Sequence, residues 1–297
     1  MTQHIGRPMR RVEDERLITG KGRFAGDIKL DGTLYLALAR SPVPHARISG
    51  IDTAPATAMP GVVAVWTAAD LPEVKSGLSD WVPTTVERRG RPILNREEVN
   101  YAGEAFAVVI AETPYQAKDA ADAVAADLES LPGVGDVVTA TAERAPTVHA
   151  DMDSNVALAR STAYGDTKGA FADDAVTSRL RLVTSRVCGA AMEPRTVTAA
   201  PDGNSITVWT STQSIFSVRS TIASILGVEE EKVRVRAEDV GGGFGAKGGV
   251  SPEEVLTALA AWRLKRPVQW VASRSEDGAT TAQGHGTVLD LELAAGS

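Results

Sequence analysis

Cysteine is almost missing. Cys188 is the single one in 297 residues, which excludes an internal disulfide and any metal centre built on cysteine pairs. Histidine is scarce as well: His4, His45, His149 and His285 lie far apart with no HxxxH or HxxE spacing, so a zinc or iron site ligated by protein side chains is not expected. Any metal would have to arrive inside a cofactor. Positive charge is not in excess either, since 31 basic against 38 acidic residues leave a net charge of −7. That balance offers no basic face to nucleic acid or to an anionic membrane surface. No stretch approaches 18 apolar residues, and the opening MTQHIGRPMRRVEDERL has no apolar run behind its basic residues. Neither a signal peptide nor a transmembrane helix is expected, and the chain reads as cytoplasmic. What it has in ordinary measure is apolar content, 43% beside 23% charged, enough at this length for two domains.

The pattern along the chain predicts an α+β protein. Gly20, Gly22 and Gly26 interrupt a polar, basic beginning, which reads as an extended arm over 1–22. TLYLALAR (33–40), GVVAVWT (61–67) and EAFAVVIAE (104–112) read as strands, with SPVPHARI as a loop between the first two. Pro114 opens a helix whose apolar stripe is Ala117, Ala120, Ala121, Val124, Ala125 and Leu128. These elements make a domain over 23–135. An Ala, Thr, Pro and Asp rich connector (136–165) follows, then a second unit over 166–297. In that unit VTSRLRLVTS, SITVWTST, KVRVRAEDV, PVQWVASRSED and GTVLDLELAAGS read as strands. SIFSVRSTIASILG reads as a helix closing on Gly227, and SPEEVLTALAAWRLK as a helix with Ser251 as N-cap and Pro252 at its first position. With the final strand expected to lack its cover, the 20–135 region is expected to be the protease-resistant part.

The most unusual stretch is VGGGFGAKGG (240–249), six glycines in ten positions directly after a basic, β-branched run. Glycine costs folding entropy and clusters where the backbone must take positive φ or approach another group closely. A phosphate loop of the NTPase type fails, because Lys247 stands between Ala246 and Gly248 rather than between glycine and a hydroxyl residue. Gly241, Gly243 and Ala246 satisfy a dinucleotide fingerprint, with Arg274 available to a 2′-phosphate, but the following helix cannot start before about Ser251. A plain structural turn is a further reading. In the last one, consecutive amides form a concave donor surface for a large polar cofactor, and Phe244 supplies an aromatic wall.

DVGGGFGAK resembles the cofactor loop of the molybdopterin-binding large subunits of the xanthine dehydrogenase, aldehyde oxidase and carbon monoxide dehydrogenase family. IGRPMRRVEDERLITGKGRFAGDI, LYLALARSPVPHARISGID, PGVVAVWTAADLP, YAGEAFAVVIAETPYQAKDAADAV, MEPR, WTSTQS and SPEEVLTALAAWRLKRPVQW are similar to their counterparts in the same order. The resemblance implies an N-terminal α/β-hammerhead-type domain followed by the first, incomplete part of a molybdopterin-binding α+β domain. It implies a molybdenum–molybdopterin cofactor, in the cytosine dinucleotide form, that oxidises an aldehyde, N-heterocycle or carbon monoxide with oxygen drawn from water. Electrons would leave through 2Fe-2S and FAD groups carried only by partner subunits, an iron–sulfur small subunit and a flavin medium subunit.

Residue by residue, the resemblance implies that Gln213 hydrogen-bonds an oxygen ligand of the molybdenum, and that Gly242, Gly243, Phe244 and Gly245 sit against metal and pterin. Without it, Gln213 reads as a strand-end residue capping the next helix, and Phe244 as a core aromatic. Gly248 stands where xanthine-oxidising members carry a substrate-binding glutamate, so purine hydroxylation is not expected. Glu193 reads as half of a structural ion pair beside Arg195, Cys188 as a small core residue, and Glu253 and Glu254 as helix-start charge. No chemistry is assigned to His45. Family large subunits run well beyond this length, and the general-base glutamate belongs to the part not represented here. The expected partner is therefore the C-terminal half of the subunit or a second molybdenum-binding chain. The chain alone is expected to be inactive, and the alternative is a non-catalytic fragment or subunit-interaction module.

Overall fold

A computed structural model describes residues 5–75, 77–78, 90–171 and 176–295. Parts of the expected 23–135 domain, residue 76 and residues 79–89, lie outside them. The helices are α1 (Asp14–Ile18), α2 (Ala54–Thr57), α3 (Pro114–Ala123), α4 (Thr167–Ala170), α5 (Ile215–Leu226), α6 (Pro252–Leu264) and α7 (Arg274–Thr280). The strands are β1 (Leu34–Arg40), β2 (Ala46–Asp52), β3 (Val62–Thr67), β4 (Glu98–Val99), β5 (Ala105–Ala111), β6 (Ala125–Ser130) and β7 (Val176–Thr184) in the first part of the chain. They continue with β8 (Val187–Cys188), β9 (Thr196–Asp202), β10 (Ser205–Thr210), β11 (Val233–Arg236), β12 (Val268–Val271), β13 (Gln283–Gly284) and β14 (Thr287–Ala295).

The central feature is a seven-stranded mixed sheet in the order β11-β10-β9-β12-β1-β5-β3. It takes strands from both the 23–135 and the 166–297 segments, and they meet where β1 runs parallel to β12, Leu34 beside Val268 and Tyr35 beside Gln269. β5 is apolar throughout (AFAVVIA) and buried at every position, as a strand covered on both faces must be. On one face α5 and α6 pack with Leu34, Ile110, Ile206, Ile222, Leu256, Leu259 and Trp270 into a continuous core. On the other, Phe106, Val109, Ala120 and Ala121 join Ala46, Ile48 and Val99 of a three-stranded sheet ordered β4-β2-β6. Residues 136–165 contain no helix or strand. The mixed α+β class is as expected.

Local signals placed some elements well and others badly. Ser251 accepts from the Glu254 N–H and the Glu254 carboxylate accepts from the Ser251 N–H, a capping box that starts α6 at Pro252. Gly227 closes α5 with φ 65°. The stripe assigned to the helix after Pro114 runs too far, however: α3 ends at Ala123, and Ala125 and Leu128 belong to β6, which is needed as a partner for β2. SPVPHARI is a loop only to His45, because Ala46, Arg47 and Ile48 already pair in β2. The arm is not extended throughout, since residues 14–18 form α1. The segment RSED starts a helix rather than ending a strand. Cys188 is exposed rather than a core residue, because β8 is a two-residue strand paired only with β13.

β7 and β14 form a two-stranded ribbon outside the main sheet. One face carries the ion pairs Arg179 to Glu292 and Arg181 to Asp290, while Leu180, Leu182, Leu289, Leu291 and Leu293 are exposed. A ribbon of this kind is marginally stable without a covering layer. Limited proteolysis is expected to cut it, together with residues 133–166, while β9 to β12 survive with β1 and β5 as noncovalently associated fragments. The product expected from sequence, resistant over 20–135 and degraded beyond, does not follow from a sheet that spans both segments. Mass spectrometry of the fragments distinguishes the two.

Glu253 and Glu254 stand in the first turn of α6, as expected of helix-start charge, but they are buried, and Glu253 belongs to a charge network beneath the sheet junction. Glu253 is 1% exposed and pairs with Arg40 at 2.7 Å and with Arg195 at 3.1 Å; Arg195 also pairs with Asp277 at 3.0 Å. Desolvation drives the Glu253 pKa up, but the two guanidinium groups outweigh it and hold the carboxyl at about 2, below its ordinary 4.5. Glu254 is buried with no ion-pair partner among the described residues, and desolvation raises its pKa, opposed by hydrogen bonds from Thr210 and Ser251. Glu253→Ala leaves two buried arginines short of a partner and is expected to cost about 3–5 kcal/mol in urea unfolding. The depressed carboxyl is expected to make the fold about 3 kcal/mol more stable with Glu253 ionised than protonated, a difference fully present above pH 4.5 and lost as pH falls towards 2. A pH series of unfolding midpoints for the native and Glu253→Ala proteins should converge in that acidic window.

Candidate cofactor site

The site is built where β11 and β10 end side by side. β10 and β11 are parallel, so Thr210 and Arg236 leave the sheet at the same edge. From Thr210 the chain passes through Ser211, Thr212 and Gln213 into α5, and from Arg236 it passes through Asp239 into the glycine loop. Asp239 is fixed before the loop begins. Its carboxylate accepts from both terminal nitrogens of Arg16 and from the Arg23 N–H, and Phe24 bridges to it in parallel fashion. α1 thus tethers the arm to the foot of the loop.

Three positive φ angles bend the loop: 101° at Gly242, 52° at Phe244 and 82° at Gly245. Phe244 pays the usual steric cost of that region for a residue with a Cβ. Two glycines are required by contact as well. A Cβ on Gly241 would lie 2.5 Å from Glu193 Cβ, and one on Gly243 would lie 2.5 Å from the Gln213 side-chain carbon and oxygen. Segment 188–193 backs the loop, with Ala190 itself at φ 31° and Ala191 buried against Gly242.

Gln213 does not cap α5, whose N-cap Ser214 makes no side-chain capping bond. Its Oε1 accepts from the N–H of Gly245 at 3.1 Å and of Lys247 at 3.3 Å, and its own N–H donates to the Lys247 carbonyl at 2.9 Å. Two donors on one side-chain atom settle which atom is the oxygen. Nε2 therefore points away from the loop, and among the described residues it has no partner. The N–H groups of Gly242, Gly243 and Phe244 likewise have none, while Gly241, Gly245, Ala246, Lys247 and Gly248 donate within the protein. Three successive free amides, one free side-chain amide and an aromatic ring that is 77% exposed make a donor surface with an apolar wall. Phe244 is not a core aromatic. Gln213, Gly242, Gly243, Phe244 and Gly245, far apart as two groups in sequence, are brought together.

Glu193 is an ion pair, but not with Arg195. Lys247 Nζ reaches its Oε2 at 3.0 Å, whereas Arg195 turns to Glu253 and Asp277. The signal for this was a lysine among glycines in a loop otherwise without charge. The dinucleotide reading falls, because the glycines do not open α6 and Arg274 donates to the Met192 carbonyl instead. Among the described residues there is no group of three His, Cys, Asp or Glu placed to hold a metal.

Residues 148–297 match the family model of the molybdopterin cofactor-binding domain. The chain belongs to the molybdenum hydroxylase large subunits. Residues 19–132 match the model of the aldehyde oxidase and xanthine dehydrogenase a/b hammerhead domain. The chain is 35% identical to the nicotine 6-hydroxylase large subunit of Paenarthrobacter nicotinovorans, over 98% of its own length and 36% of that protein. It is also 35% identical to the carbon monoxide dehydrogenase large chain of Hydrogenophaga pseudoflava, over 95% of its length and 37% of that protein. Quinoline 2-oxidoreductase from Pseudomonas putida 86 superposes with a TM-score of 0.92 at 34% identity, covering 100% of this chain and 38% of that one. The chain therefore spans a little over a third of the length of these relatives. No helix among the described residues is long and apolar enough to cross a membrane.

Proposed function

We propose that this chain is the part of a molybdenum hydroxylase large subunit that grips the cofactor from the side of the glycine loop. The observation that supports it best is the set of four free donors, the amides of Gly242, Gly243 and Phe244 and Nε2 of Gln213, arranged round an exposed ring. Donors without protein acceptors suit an anionic, oxygen-rich and sulfur-rich group, and the cofactor is proposed in its cytosine dinucleotide form. When bound, the molybdenum cofactor supplies two-electron chemistry and passes oxygen drawn from water to the substrate. The chain's own residues hold and orient. The loop amides fix the group without titrating, Gln213 donates from a rigidly held amide, and Phe244 excludes water from one side.

The whole enzyme is proposed to oxidise an aldehyde, N-heterocycle or carbon monoxide, passing electrons to 2Fe-2S and FAD carried by a small and a medium subunit, in the cytoplasm. A further polypeptide, the C-terminal half of the subunit or a second molybdenum-binding chain, supplies the general base and covers the ribbon. Purine hydroxylation is disfavoured by Gly248. The test is metal and pterin analysis of the protein purified with its neighbours. Molybdenum and a cytosine-dinucleotide pterin in stoichiometric amount are expected, and their absence from a folded, complete assembly refutes the proposal.

A further inference from the structure

We infer that Glu193 is a positioning residue that clasps the two ends of the glycine loop together and, through Lys247, sets the orientation of Gln213. The inference rests on the proposed cofactor role of this loop. One carboxylate oxygen, Oε2, accepts from the Gly241 N–H at 2.7 Å and from Lys247 Nζ at 3.0 Å. The first and last residues of a seven-residue loop thus share one acceptor. The Glu193 N–H returns a bond to the Gly241 carbonyl at 3.1 Å, so the first end is held twice. At the other end, Lys247 is 4% exposed, and its backbone is the frame on which Gln213 sits. Its N–H meets Gln213 Oε1, and its carbonyl accepts from the Gln213 N–H and, at 3.4 Å, from the Thr212 hydroxyl.

The loop needs such a device. Among the described residues the N–H groups of Gly242, Gly243 and Phe244 have no acceptor, so the middle of the loop is held through the Gly245 N–H to Gln213 Oε1 and the Ala246 N–H to the Gly243 carbonyl, with nothing on its first three free amides. Glycine-rich backbone has more conformations to lose than any other, and a donor surface is useful only if it is rigid before the ligand arrives. A charged acceptor shared by both ends closes the loop with two charge-assisted bonds in a site largely shielded from water. Neither end can move without breaking a bond to the same atom. Gly241 itself cannot be replaced, since a Cβ there would lie 2.5 Å from that of Glu193.

The test uses Glu193→Leu, Lys247→Met and the double variant, in the holoprotein and in the cofactor-free full chain. Each single variant leaves a buried charge unpaired and lowers overall stability, whereas the double variant removes both charges and is expected to recover it. The clasp is not restored in the double variant. Hydrogen exchange of the peptide covering 240–248 is therefore expected to accelerate about tenfold in all three variants, while exchange in α6 of the double variant stays at the native rate. Molybdenum retained after prolonged dialysis of the holoprotein should fall about tenfold in parallel. If the double variant regains slow loop exchange and full molybdenum content along with stability, the pair is a stability element and the inference is overturned. Gly243→Val serves as the reference: molybdenum loss there with full retention in Glu193→Leu overturns the clasp alone, and full retention in both overturns the cofactor assignment on which it rests.

Discussion

Gly243→Val is expected to abolish molybdenum retention while leaving the sheet intact. The added Cβ would stand 2.5 Å from Cδ and Oε1 of Gln213, and the rest of the valine side chain has to go further in the same direction. Gln213 cannot yield by a simple rotation, because Oε1 is held by two loop amides and its backbone by Lys247. The substitution therefore pushes apart the two halves of the donor surface, the loop amides on one side and the Gln213 amide on the other. A misplacement of about 1 Å in such a site is worth about a hundredfold in binding or rate. The core strands β9, β10 and β12 lie behind the loop and keep their register, so the circular dichroism spectrum should remain native. Metal analysis of the purified variant decides the matter, and normal molybdenum content would remove the loop from the site.

Gln213→Glu separates the two jobs of Gln213. A carboxylate oxygen can still accept from the Gly245 and Lys247 N–H groups, so the loop keeps its tie, but the free donor is gone and an acceptor-only charge takes its place. The donor matters most as charge accumulates on its acceptor during reaction, so its loss should fall on kcat rather than KM. Donors of this kind are typically worth about 10²–10³ in rate, or about 2.7–4 kcal/mol. Gln213→Ala loses donor and loop tie together, and it should lower kcat by the same order while also releasing cofactor on dialysis. Both variants retaining native kcat in the reconstituted enzyme would strike Gln213 from the site and leave it a loop staple.

Much of this was legible in the sequence, and the reason is local. Six glycines in ten positions announce backbone conformations that other residues resist, and three of the loop's residues do sit at positive φ. Ser251, Pro252 and Glu254 fix the start of α6 through bonds within one turn. The uninterrupted apolar run of β5 implies burial on both faces before any partner is known. Where a local period was ambiguous the reading failed. The alanines that follow Ala121 fit a helical stripe and an alternating strand equally well, and the pairing of β6 with β2 decides between them.

The sequence by itself determined the family-bearing loop, most strands and the long helices, because propensity, capping and periodicity act over a few residues. Only the tertiary structure decided what is charged and buried, and with whom. Glu193 reads naturally with Arg195, two positions away, yet its partner is Lys247, while Arg195 is drawn to Glu253 and Asp277. Glu253 reads as a helix-start charge and is one, but its burial and its enclosure by Arg40 from β1 and by Arg195 carry no local signal. A buried charge must be neutralised by whichever opposite charge the sheet order brings within about 4 Å, and sheet order joins strands more than two hundred residues apart, as β1 and β12 show. That distance in sequence carries no period to read.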